Sequence, residues 1–90
     1  MTPAAYPLMM ADEGARVRIV GLRDGHGFAR RLTEMGLNVG AVLVVRQRQG
    51  GGLVVMRGAT RFALGGGMAH KILVAPVETN EGMTADDDDR

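Results

Sequence analysis

Cysteine, serine and tryptophan are all missing from this 90-residue chain. Without cysteine there is no disulfide framework, no thiolate metal site and no cysteine nucleophile, which accords with a reducing compartment. A hydrolytic triad needs Ser, Cys or Thr beside a base, and Thr2, Thr33, Thr60, Thr79 and Thr84 have no convincing partner. Aromatics are almost as scarce, with only Tyr6, Phe28 and Phe62. The core is therefore expected to be aliphatic, filled out by Met, an adaptable side chain. No apolar run nears the roughly 18–20 residues of a membrane span. The opening "MTPAAYPLMMADEGAR" has no basic stretch ahead of an apolar one, so no signal peptide is expected. These absences together predict a soluble, cytoplasmic protein of one domain, small enough that only about 60–65% of the unfolded surface is buried.

Acidic residues are rare in the body of the chain. Gly14–Val77 holds ten basic residues against Asp24 and Glu34, a net +8, whereas residues 78–90 hold six acids and one base, a net −5. Such polarity calls for an electrostatic partner: an acidic protein, nucleic acid, or the tail itself.

Between these charges the pattern is that of short strands. In "RVRIVGL" (16–22) Arg16 and Arg18 alternate with Val17 and Ile19, the period of a half-buried strand. "RDGHG" (23–27) is a turn. Phe28, Leu32 and Met35 then stand at i, i+4 and i+7, one face of a helix of about two to three turns. Gly36 occupies the C′ position of that helix, and Leu37 is placed to fold back on its last turn. "NVG" (38–40) turns the chain into a strand over Ala41–Gln49. "LVVMR" and "RFAL" flank the hairpin signal "GAT" (58–60). Met68–His70 is placed for one helical turn, and Lys71–Val77 reads as the last strand. The expectation is a mainly β protein, a small barrel of about five strands with one short helix inserted after the first, since closure hides strand edges. Residues 1–7 are expected to be a flexible arm, 8–77 the barrel domain, and 78–90 a disordered acidic tail.

Four pieces in order, "G-x-x-x-R-I-V-G-L", "R-R-L-T-E-M-G-L-N-V-G", "V-M-R-G-x-x-x-x-L" and "A-x-K-I-L-V", resemble the FeoA family over about Leu8–Val77. The resemblance implies an SH3-like β-barrel with no enzymatic activity. It implies an accessory or regulatory role in ferrous-iron uptake, with the cytosolic part of a FeoB-type membrane GTPase transporter as partner. It also extends to C-terminal domains of metal-dependent repressors, although this chain carries no winged-helix domain. One departure is "LGGGMAHK" (64–71), where a more polar loop is expected.

The expected partner surface is the polar side and exit of the helix: Arg30, Arg31, Glu34 and Asn38. His26, His70 and Asp24 are the weak metal candidates. A closed tetrahedral site takes four ligands, so surface histidines are the preferred reading, with room for a weakly bound transition metal ion such as Fe(II). The alternative functions are a basic barrel that binds nucleic acid and a transition-metal-ion-binding module. Against nucleic acid stands the shortage of stacking aromatics, Phe28 and Phe62 both falling where burial is expected. The two "GGG" runs are read as turns, because no phosphate-loop pattern accompanies them.

Overall fold

The computed structural model describes residues 4–23 and 26–77, with His26 described through its backbone alone. Asp24, the His26 imidazole, the acidic tail 78–90 and the first three residues of the expected arm lie outside the described residues. The elements run β1 (Tyr6–Pro7), a 3-10 turn (Leu8–Met10), β2 (Arg16–Leu22), α1 (His26–Met35), β3 (Val42–Gln49), β4 (Gly52–Arg57), β5 (Thr60–Leu64), α2 (Gly66–Lys71) and β6 (Ile72–Pro76). The strands form one antiparallel sheet in the order β1-β6-β2-β3-β4-β5.

Two expectations are corrected in detail. Among the described residues the strands number six, and the helix follows the second. Tyr6 and Pro7, assigned to the arm, pair with Val74 and Leu73; a two-residue strand carrying proline has no alternation to announce it. The second helix spans six residues from Gly66. Its two leading glycines are poor helix formers, so a reading by propensity begins only at Met68.

The sheet is curled and open. β1 and β5 stand at its ends, and α2 packs against β1 and the 3-10 turn on one side and against β4 on the other. Two bulges aid the curl, one where the β2–β6 register shifts past Val20 and one where the β3–β4 register shifts past Arg46. An extra residue bends a strand and re-aims its own side chain.

Alternation decides the core. Val17 and Ile19 point inward from β2, Leu43 and Val45 from β3, Leu53 and Val55 from β4, and Ile72 and Val74 from β6. Leu8, Leu32 and Leu37 complete the cluster from outside the sheet. The largest fully buried side chains are all Leu, Ile and Val. Methionine does not fill the centre as expected: Met9, Met35 and Met68 pack at its edge and Met10 is exposed. A flexible side chain loses less at an edge, where its rotamers stay free.

The end of α1 forms as the sequence dictates. Gly36 has φ +84°, the Gly36 N–H donates to the Thr33 carbonyl at 2.9 Å, and the Leu37 N–H donates to the Leu32 carbonyl at 2.8 Å. This is the Schellman pattern, and the buried Leu32 and Leu37 supply its apolar contact. Gly36→Val should therefore lower stability by more than about 1 kcal/mol, since a β-branched residue is strained at that φ. An unchanged urea midpoint would refute the assignment.

Candidate functional site

Helix α1 stands outside the sheet with one face buried and the other free. Leu32 is inaccessible to solvent and Phe28 and Met35 are half-buried, while Arg30, Arg31, Thr33 and Glu34 are exposed. The polar side continues beyond the helix into exposed Asn38. The four residues expected to meet a partner therefore share one ledge, the helix and its exit.

The exit is clamped to β2. The Gly40 N–H donates to the Ile19 carbonyl at 2.7 Å, the Ile19 N–H to the Ala41 carbonyl at 2.9 Å, and Arg18 Nη1 to the Gly40 carbonyl at 3.2 Å. That clamp sets Val39 beside the outward bend of β2, where Val20 is turned to solvent. Val39 and Val20 are 59% and 42% exposed. Arg57 belongs to the same region: a Cβ built on Gly36 would lie 3.7 Å from its Nη1. Arg57, Val20 and Val39 were not singled out from the sequence. The signal for Val20 was available, since a valine on the arginine face of an alternating strand breaks the pattern. Arg57 lies far along the chain and gave none.

At the other end of α1, Lys71 Nζ sits 5.4 Å from the centroid of the Phe28 ring. This contact between cation and aromatic face ties α1 to the end of α2. Phe28 and Phe62 are both partly buried against the core.

One arginine in the middle of the basic body has a structural task. Arg48 Nη1 donates to the Met9 carbonyl at 2.8 Å, and Nη2 donates to the Ala11 carbonyl at 2.7 Å. The Arg48 N–H donates to Glu13 Oε2 at 2.8 Å. The guanidinium fork thus holds the 3-10 turn, and with it buried Leu8, onto β3. Charge-assisted bonds of this kind are worth about 1.5–3 kcal/mol when desolvated and less in the open. Arg48→Met should cost about 1–2 kcal/mol and expose the N-terminal segment to proteolysis before the sheet itself unfolds. Equal cleavage rates in variant and parent would overturn this role.

Of the metal candidates, His70 is exposed in the last turn of α2. Among the described residues, no group of three His, Asp or Glu is gathered as a metal ion would require. Among the same residues, no helix is long and apolar enough to cross a membrane.

Comparison with known proteins follows this geometry. The FeoA domain family matches residues 6–76. A protein of Methanocaldococcus jannaschii named for Fe(2+) transport is 37% identical over 73 residues, 81% of this chain and 89% of that protein. A crystal structure titled as the iron uptake regulatory protein FeoA superposes with a TM-score of 0.75 at 30% identity, covering 82% of this chain and 99% of that one. A manganese-dependent transcriptional repressor superposes with a TM-score of 0.76 at 22% identity over 86% of this chain and 44% of its own. At that identity the likeness concerns the fold.

Proposed function

The chain belongs to the FeoA family, and from that premise we propose a non-enzymatic accessory role in ferrous-iron uptake, exerted by binding the cytosolic part of a FeoB-type GTPase transporter. The observation that carries this reading is the α1 ledge. Arg30, Arg31, Glu34 and Asn38 are exposed on an element whose opposite face is anchored in the core. Exposed Val39 and Val20 add apolar area beside them. Arginine is enriched in protein interfaces relative to the rest of the surface, and exposed apolar area contributes to their burial. In this role iron is cargo of the transporter.

The double variant Arg30→Ala/Arg31→Ala tests the reading. Its folding stability should stay within about 0.5 kcal/mol of the parent, because both side chains are exposed. Capture of the transporter from detergent-solubilised membranes, with nuclease present, should fall about tenfold or more, the loss expected when arginines act as interface hot spots. Iron uptake should fall with it. A basic barrel that serves nucleic acid behaves differently: oligonucleotide binding would drop steeply with salt. Tight, salt-sensitive oligonucleotide binding that is lost in the variant while uptake persists would overturn the transporter role.

A further inference from the structure

A second surface lies on the outer face of β3, β4 and β5, an open cleft of about 680 Å³ lined by Val44, Arg46, Met56, Ala59 and Arg61 among others. Val44 pairs directly with Met56, Met56 with Arg61, and Val44 with Arg16 on the neighbouring strand. Directly opposed residues share a face. One cross-strand row therefore reads Arg16, Val44, Met56, Arg61, half-buried and apolar in the middle and exposed and cationic at both ends. The β3 bulge lies at Arg46, which adds a further cation to the lining. Among the described residues, no acidic side chain lines the cleft. None of the α1 ledge residues takes part in it.

We propose that this cleft is the docking site of residues 78–90 of the same chain, with Asp86–Asp89 set against Arg46, Arg61 and Arg16, and Met83 on the Val44–Met56 floor. Three observations lead there. The first is charge: the segment carries a net −5 and the body a net +8. The second is where the chain departs. The Val77 N–H donates to the Arg16 carbonyl at 3.0 Å, so residue 78 begins beside the row just described. The third is length. Neighbouring strands are about 4.8 Å apart, which puts Arg61, four strands away, at about 19 Å across the sheet. The run from Val77 to Asp86 can extend to about 30 Å. The sequence "MTADDDD" also repeats the chemistry of the cleft in mirror form, one apolar residue followed by a run of anions. A docked tail neutralises the basic face of the sheet and shields it from other anionic chains, leaving the α1 ledge open.

The test compares amide NMR spectra of the full chain with those of a variant in which Asp86→Asn, Asp87→Asn, Asp88→Asn and Asp89→Asn are combined. At about 50 mM salt the two should differ at Val44, Arg46, Met56 and Arg61, and the difference should vanish near about 500 mM, where the Debye length falls to about 4 Å. A peptide of residues 78–90 added to the Asn variant should restore the parent positions, and its affinity should fall about tenfold or more over the same salt range. Spectra that coincide at the cleft overturn the proposal. So do differences centred on Arg30 and Arg31, or differences that grow with protein concentration, which would place the tail of one copy on another. A labelled single-stranded oligonucleotide that binds parent and Asn variant equally well would overturn the shielding role. None of these readouts involves the transporter, so their outcome is independent of the accessory role.

Discussion

Leu32→Ala should lower the stability of the protein by about 2–5 kcal/mol, the range for truncating a large aliphatic side chain in a packed core. Leu32 is fully buried and belongs to the same cluster as Leu8, Ile19 and Leu37. It also lies at the start of the pattern that closes α1, since its carbonyl receives the Leu37 N–H. Helix α1 has ten residues, fewer than the roughly 12–15 at which an isolated helix becomes even marginal in water. Its buried face is therefore what holds it. The variant should lose helical circular dichroism ahead of the global transition and should also lose transporter capture, because the ledge is the reverse side of the same helix. Leu32→Met is the matched control: it keeps the volume and should cost less than about 1.5 kcal/mol. A Leu32→Ala loss below about 1 kcal/mol would mean that α1 is held by something other than its core face.

Gly52→Ala should cost about 3 kcal/mol, at the upper end of overpacking, because what it strikes is backbone. Gly52 is buried in β4 directly after the Gly50–Gly51 turn, whose residues have φ +53° and +83°, as a two-residue hairpin loop requires. A Cβ at Gly52 would run into the Leu64 carbonyl oxygen and stand 3.2 Å from the Gly65 Cα. A Cβ at Gly66 would meet the Gly51 carbonyl oxygen. The two triple-glycine runs, far apart in sequence, therefore lie backbone against backbone, and the hairpin turn seats the start of α2. That contact accounts for Gly66 in "LGGGMAHK", a stretch that departs from the polar loop expected there. Gly67→Ala is the contrasting case: nothing lies within 4 Å of its Cβ, and alanine there should be neutral or stabilising by up to about 1 kcal/mol. A thermal denaturation series on the two variants separates close approach from simple chain flexibility. Similar melting temperatures for both would refute the interlock.

The candidate surface was readable to the extent that it is local. Arg30, Arg31 and Glu34 follow from the helical period, because whatever lies off the Phe28, Leu32 and Met35 stripe must face outward. Asn38 follows from the turn that Gly36 begins. Val39, Val20 and Arg57 arrive at the same place through a strand pairing, a bulge and a crossing of the sheet, none of which leaves a mark in a window of neighbouring residues. The arginines show the same division. Ten basic residues in the body read as one electrostatic feature, yet Arg48 is bound to the Met9 and Ala11 carbonyls, whereas Arg46, two positions earlier, lines the open cleft.

Local chemistry by itself determined the element types: period two in β2, period three to four in α1, a glycine where φ must be positive, and turns at Asn38–Gly40 and Gly58–Ala59. Those depend on steric limits and side-chain direction within a few residues, which any chain carries in its own sequence. Order and closure were decided elsewhere. β1 exists because β6 offers its edge to Tyr6 and Pro7. The place of α2 is set by its packing on the 3-10 turn, β1, β4 and β6. Gly52 and Gly66 are glycine because the backbone of the other run approaches each of them. Each of these depends on a contact between segments distant in the chain, whose energy appears only once the core of Leu, Ile and Val has brought them together.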